Sequence, residues 1–194
     1  MQKVFRALAI GVALCSTVKA DEVEDGVNSA LKSYKEGKPA DAANALQNVL
    51  KLLNSKTGGA LAAALPDHIG GWRGGKVETQ SLSGTGGGST TSRTYRQGSK
   101  EKGDEKKISV SIASDSPLLG TITTFLKAPA LGQLLGAKPK EVGPYPAMFI
   151  SKEGILQFAV NDRYAVLIQG KKLGESEIME VATGLKLGIL KDIH

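Results

Sequence analysis

Two neighbouring features between residues 67 and 77 contain the residue types that catalysis or phosphate binding requires. Asp67 stands next to His68, a pairing that could act as a base or supply a ligand. Residues 70–77 read Gly-Gly-Trp-Arg-Gly-Gly-Lys-Val, which nearly matches a phosphate-binding loop. That loop needs Ser or Thr after its Lys to hold magnesium, but Val77 follows here. Because no buried strand precedes the segment either, we predict no nucleotide site, and a surface turn for the Asp67–His68 pair.

Other patterns that are typical of enzymes are missing or incomplete in this sequence. No Gly-x-Ser-x-Gly elbow frames a nucleophilic serine, and His68 and His194 are the only histidines. The glycine run at 84–88 departs from the dinucleotide pattern at Ser89. Two histidines and scattered carboxylates do not supply a metal site. We therefore predict no catalytic residue, cofactor or metal, and keep as the alternative a small periplasmic hydrolase that uses distant carboxylates.

The first twenty residues have the three parts of an export signal. Lys3 and Arg6 form a charged start, residues 7–14 are apolar, and Val18 and Ala20 place small side chains at a cleavage site. The apolar run is shorter than the roughly 20 residues that span a bilayer. We predict a signal peptide over residues 1–20 that is cleaved after Ala20, and a periplasmic or secreted location with no transmembrane segment after its removal.

The same segment accounts for much of the basic charge and for the single cysteine. Lys3, Arg6 and Lys19 carry three of the six net positive charges, so the remaining chain carries +3. A nucleic-acid partner is therefore not expected, because phosphate binding takes a clustered basic surface. Cys15 raises a lipoprotein alternative, but Leu14 precedes it where a small residue is normal. The chain after residue 20 contains no cysteine for disulfides or thiol chemistry.

Residues 21–64 show the apolar spacing of two helices. Gly37 is a good stop for the first helix, and Pro39 fits the first turn of the second. We predict an antiparallel helical hairpin whose two apolar stripes face each other. The stripes are Val23, Val27, Ala30, Leu31 and Tyr34 in the first helix, and Ala42, Ala45, Leu46, Val49 and Leu53 in the second.

Tyr34, Gly37, Ala42 and Leu46 make this region resemble a single tetratricopeptide repeat. No second copy follows, although such units normally stack on neighbours. Two interpretations stay open. The helices are either a generic pair that packs on the rest of the chain, or a hairpin that caps the fold or docks a partner.

Residues 65–194 alternate between strand and helix patterns. The clearest strand is 107–114, where Ile108, Val110 and Ile112 alternate with small or polar residues. Helices are expected after Pro117, over 130–135 and over 174–190. The other predicted strands are 77–82, 90–96, 147–151, 155–160 and 163–169. Every obvious strand connection is a hairpin. The sequence therefore predicts an α+β fold, with a mostly antiparallel sheet of about six strands, flanking helices and the N-terminal helical hairpin.

This element order, opened by Pro66 close to Trp72, resembles the PsbP-like domains over roughly residues 66–190. The resemblance implies an antiparallel sheet with flanking helices. It also implies a binding or assembly role, because such domains are usually accessory proteins without catalytic residues. It identifies no partner, since a fold alone does not give function.

Two stretches of the sheet domain could form a partner surface. Leu131, Leu134 and Leu135 lie on a short helical segment that would expose apolar area if it stands off the sheet. Tyr145 lies between two prolines, near Trp72 if the fold brings them together. Core packing is the alternative for each. We expect an exported, non-enzymatic binding or accessory protein of the bacterial envelope that contacts a protein partner or a small apolar ligand.

Overall fold

Two helices open the part of the chain that the computed structural model describes, which is residues 22–81, 88–99, 101, 103–134 and 136–191. Helix α1 (Glu22–Lys35) has three acidic residues in its first turn, where the helix dipole favours negative charge. Gly37 adopts a positive φ of 74° after it. Pro39 then begins α2 (Pro39–Ala62). The predicted cleavage site after Ala20 lies outside the described residues, as do Leu135, His194 and most of the glycine run at 84–88.

The described residues after α2 form one antiparallel sheet of eight strands, so the α+β prediction is confirmed. The strand order is β1-β2-β3-β4-β8-β7-β6-β5. Asn161 and Asp162 both have positive φ in the predicted turn between β7 and β8, as a tight hairpin requires. The strands are β1 (His68–Ile69), β2 (Trp72–Ser81), β3 (Ser89–Gln97), β4 (Lys106–Ser114), β5 (Ala137–Val142), β6 (Tyr145–Ile150), β7 (Ile155–Val160) and β8 (Tyr164–Gln169).

The predicted count of six strands is wrong because two edge strands have weak sequence patterns. β1 has only two residues. β5 contains Pro139 and three charged residues. Proline is tolerated at the edge of a sheet, where one side of a strand makes no ladder hydrogen bonds. Both strands lie at the two ends of the strand order, which explains why neither shows the alternation of a central strand.

Helices cover both faces of the sheet and divide the core in two. The main core lies on what we call the first face, under the end of α2, helix α5 (Glu175–Thr183) and a 3-10 helix (Leu187–Lys191). A smaller cluster of Ala113, Ile122 and Ala165 lies on the second face under α3 (Leu118–Lys127). Helix α4 (Pro129–Leu134) follows α3 directly. The alternation predicted for β4 is confirmed, because Ile108, Val110 and Ile112 are all fully buried on the first face.

The last helix is shorter than the predicted 174–190. It ends at Thr183, and the Lys186 amide donates a hydrogen bond to the Ala64 carbonyl instead of continuing the helix. A Cβ on Gly184 would lie 2.2 Å from Ile69, so this glycine permits close packing of the chain after α5 on β1.

Candidate functional site

Asp67 and His68 lie in the segment that joins α2 to the sheet, which we call the junction (residues 63–76). The Asp67 carboxylate pairs with the Arg93 guanidinium rather than with His68. This hydrogen bond with Arg93 holds the pKa of Asp67 below its usual range. His68 is exposed and begins β1. The pair therefore lies at the surface, and the structure does not assemble it as a base with its orienting carboxylate.

The near match to a phosphate-binding loop has a different conformation from such a loop. Residues 70 and 71 form the turn between β1 and β2, and β2 continues through Gly74 and Gly75 with a bulge before Val77. A phosphate-binding loop leads from a strand into a helix, whose N-terminus holds the anion. Here strand follows strand. Gly70 has a φ of 52°, in the left-handed region that favours glycine, so the conformation of the tight turn explains this glycine.

Arg93 holds the junction against β2 and β3. Its guanidinium donates to the Leu65 carbonyl and its Nε to the Gly75 carbonyl, each at 2.7 Å, and it also contacts Asp67. The side chain is only 11% exposed. Its charge is thus satisfied by two backbone oxygens and one carboxylate, which ties the end of α2 to the bulge in β2.

Tyr95 makes a second contact to the junction. Its hydroxyl donates to the Pro66 carbonyl at 2.9 Å, and the ring is fully buried. Burial raises the pKa of Tyr95 to about 12. An unfolded tyrosine titrates near pH 10, so between about pH 10 and 12 the unfolded chain loses its proton first. Stability should therefore fall as the pH rises through this range.

The substitution Tyr95→Phe tests this linkage. We expect it to lower the free energy of unfolding by about 1 kcal/mol at neutral pH, through the lost hydrogen bond. Above pH 10 the loss of stability should become flatter in the variant, though not flat, because burial also raises the pKa of Tyr164. Urea unfolding measured from about pH 8 to 11 checks both effects. An unchanged slope in Tyr95→Phe would contradict the assignment.

Trp72 does not belong to a partner surface, which corrects the sequence prediction. Its side chain is fully buried in the main core. The indole Nε1 donates to Glu180 at 3.3 Å, which joins the start of β2 to α5.

Tyr145 is half-buried and belongs to the first face of the sheet. Its ring stacks on Phe158, with centroids 6.4 Å apart and planes at 19°. The adjacent turn contains Gly143 at a φ of 59°, which allows the two-residue connection between β5 and β6. An open cleft of about 340 Å³ lies between this turn and the residues around the 3-10 helix. The ring therefore contributes both to core packing and to the wall of this cleft.

Leu131 and Leu134 lie on α4 and are both exposed, at 49% and 83%. Gly132, between them, packs against Met148 so closely that a Cβ would lie 1.7 Å from its methyl carbon. The third leucine of this predicted surface, Leu135, lies outside the described residues. Leu134 is the most exposed large apolar side chain in the described part of the chain.

Sequence reasoning missed a larger apolar surface on α1 and α2, which we call the apolar helix face. The two helices contact each other through small side chains, with a Cβ on Gly26 only 2.5 Å from Val49, and with Ala30 and Ala42 buried. Val49 faces α1 as predicted, but the predicted facing is wrong for the other large residues that are exposed. Together with Leu50, which lies outside the predicted stripes, the large apolar residues that are between 43% and 69% exposed are Val27, Leu31 and Tyr34 on α1, and Leu46 and Leu53 on α2.

Both halves of the apolar helix face lie on one side of the helix pair. In each helix the exposed residues recur at intervals of four and three, so they form one stripe. In each helix the exposed stripe is rotated about the helix axis by about a quarter of a turn from the buried residues. The direction of this rotation is the same in both helices. Only three residues separate the helices, and a Cβ on Gly26 would lie 2.5 Å from Val49, as in two neighbouring helices that run in opposite directions. With opposite directions and equal rotation, the two stripes form a continuous surface.

Neither a metal site nor a membrane span is found in the described residues. No group of three or more His, Cys, Asp or Glu side chains there could hold a metal ion. None of the helices that the structure describes is long and apolar enough to cross a bilayer.

Comparisons with known proteins find no match among family models, curated proteins or solved structures. The resemblances to PsbP-like domains and to a tetratricopeptide repeat therefore stay predictions.

Proposed function

We propose that this chain is an exported, non-enzymatic accessory protein of the bacterial envelope, periplasmic or secreted, that binds a protein partner through the apolar helix face. The observation that carries the proposal is the exposure of six large apolar side chains on one side of α1 and α2. Contiguous exposed apolar patches on soluble proteins usually mark contact sites. The export pattern of residues 1–20 and the resemblance to accessory domains support the same function.

The partner that fits this surface is an amphipathic helix of another envelope protein. Two parallel stripes, each with an i, i+4, i+7 spacing, leave a shallow groove that accepts a helix with the same spacing. The exposed half of each of the six side chains would contribute on the order of 1 kcal/mol when it is buried. Association costs about 4 kcal/mol or more, so these six side chains offset much of that cost and the polar contacts around the groove must supply the remaining affinity.

The double substitution Leu31→Asp and Leu50→Asp tests the proposal. We expect it to abolish partner binding, because it places one charge on each helix at the centre of the apolar helix face. Both side chains are about half exposed, so the fold should be retained. Native mass spectrometry of the protein isolated from an envelope extract measures the bound mass. Its N-terminal residue, Asp21 if the signal peptide is removed as predicted, is read from the same sample.

Leu134→Asp is the matched control, since it adds the same charge to another exposed leucine. If Leu134→Asp loses the partner and the double variant keeps it, α4 is the contact site and the proposal fails. A wild-type protein that carries only a small apolar molecule would also contradict the proposal, and would point to the cleft beside Tyr145. If the bound mass is a second copy of this chain, the apolar helix face mediates self-association instead of binding to a different protein.

A further inference from the structure

Four lysines line one open cleft of about 500 Å³, which we call the lysine cleft and which extends from the end of β8 over the second face of the sheet. Its floor is a row of three polar side chains, Thr94, Ser109 and Gln169, which are paired across β3, β4 and β8. This row points away from the main core, because the alternate residues of β4 are the buried ones. The lysines that line the cleft are Lys106, Lys107, Lys171 and Lys172.

Strand pairing brings these lysines together from distant parts of the sequence. Lys106 and Lys107 begin β4, and Lys171 and Lys172 follow the end of β8. Because β4 and β8 are antiparallel neighbours with Ser109 opposite Gln169, the start of one strand lies beside the end of the other. Like charges in such positions repel each other, so their convergence needs compensation.

That compensation is incomplete within the described residues. Lys106 pairs with Glu177 at 2.6 Å, and Lys107 pairs with Glu105 at 2.8 Å. No carboxylate in the described part of the chain forms an ion pair with Lys171 or Lys172. Two ammonium groups thus remain beside a polar floor of hydroxyl and amide groups.

The backbone of Lys172 gives an independent indication. Its φ is 61°, in the left-handed region where glycine is the ordinary residue. A side chain held there is strained, and strain of this kind concentrates at functional positions. A lysine at this position places a positive charge beside the cleft, which glycine could not do.

We propose that the lysine cleft binds an anionic ligand through a phosphate group. Lys171 and Lys172 supply the positive charge for the phosphate oxygens, as lysines do at other phosphate sites. Ser109, Thr94 and Gln169 offer hydrogen bonds to the rest of the ligand. This site lies on the sheet and not on α1, so it does not rest on the proposed partner surface.

The direct test is a titration of the isotope-labelled protein with inorganic pyrophosphate, followed by amide chemical shifts. We expect saturable shifts confined to the amides that line the lysine cleft, around residues 106–109 and 169–173. The double variant Lys171→Gln and Lys172→Gln should bind pyrophosphate at least about tenfold more weakly. The loss of a single hydrogen bond to a charged group is enough to reduce an affinity by about this factor. Lys138→Gln with Lys152→Gln is the matched control, since both are exposed lysines outside the cleft.

A second variant separates binding from stability. Lys172→Gly removes the charge and relieves the left-handed strain, so its melting temperature should not fall while pyrophosphate binding weakens. Shifts that spread over the whole surface without saturation would overturn the proposal. Equal weakening in the cleft variant and in the control pair would do the same, because it would indicate general charge screening.

The source of the phosphate is distinguished by a vesicle experiment. Retention on phosphatidylglycerol vesicles, but not on phosphatidylcholine vesicles, together with loss in Lys171→Gln and Lys172→Gln, would assign the site to a lipid headgroup. Pyrophosphate binding without vesicle retention would assign it to a soluble phosphate ester. Absence of both kinds of binding would refute the site.

Discussion

Replacing Arg93 by methionine should lower the free energy of unfolding by about 3–5 kcal/mol. Methionine keeps much of the apolar stem but leaves the carbonyls of Leu65 and Gly75 without their charged donor. Each hydrogen bond to a charged group contributes about 1.5–3 kcal/mol when it is shielded from water. The contact with Asp67 adds little, because that carboxylate is 79% exposed. Urea unfolding of both proteins at neutral pH measures the difference.

Arg96→Met is the control for this prediction. Arg96 lies in the same strand, is 49% exposed and approaches Glu105 only at 3.7 Å. Its replacement should change the stability by no more than about 0.5 kcal/mol. Arg93→Lys should recover only part of the lost stability, because an ammonium group cannot reproduce the planar fork of N–H donors on the guanidinium group. Equal effects of the two methionine variants would show that the fork contributes no more than any surface arginine.

The sequence predicts the central strands well because their burial is one-sided. Alternation fixes β4, and the pairing of Leu156 with Ile168 and of Phe158 with Val166 follows from the same period. The predicted start of β2, at 77, is too late, because glycines such as Gly74 and Gly75 weaken a strand pattern. In the structure β2 begins at Trp72, and the bulge lets the strand absorb the glycines. A local sequence pattern therefore predicts the bounds of a strand reliably only where that strand is paired with a neighbour on both sides.

The candidate sites were harder to predict, since they depend on pairing between distant segments. Arg93 lies in a polar strand, and nothing in its neighbourhood indicates that its guanidinium reaches back to residues 65 and 75. Likewise, Lys106 and Lys171 become neighbours only through the register of β4 and β8. A helical wheel does identify the apolar residues of α1 and α2. It does not say that the small residues would form the contact, although Gly26 in the middle of a helical pattern was a usable signal.

The junction shows how these distant contacts cooperate. Three groups from two parts of the chain bond to its backbone: the side chains of Arg93 and Tyr95 in β3, and the amide of Lys186, which follows α5. Backbone groups in a connecting segment must be satisfied somewhere, and here the sheet and the chain after α5 supply the partners. The junction thus fixes the end of α2 on the first face, which sets where the apolar helix face can project.

Replacing Gly154 by alanine should destabilise the fold by about 3 kcal/mol, more than its backbone conformation alone explains. Gly154 has a φ of 62°, and its carbonyl accepts a hydrogen bond from the Gly170 amide at 2.9 Å. An added Cβ would lie 2.2 Å from the Gly170 carbonyl oxygen. Because that atom belongs to the backbone, no side-chain rotation relieves the clash. The turn before β7 must then separate from the end of β8.

Gly143→Ala isolates the steric part of this effect. Gly143 has nearly the same φ, 59°, but no atom lies within 4 Å of its added Cβ. Its replacement should cost only the left-handed strain, roughly 1 kcal/mol. Urea unfolding gives both values, and hydrogen exchange at the Gly170 amide should accelerate in Gly154→Ala alone. If the two variants lose equal stability, the close approach of the Gly154 and Gly170 backbones is not a constraint on the fold. If Gly154→Ala loses more, the turn that places Lys171 and Lys172 beside β4 depends on a glycine at position 154.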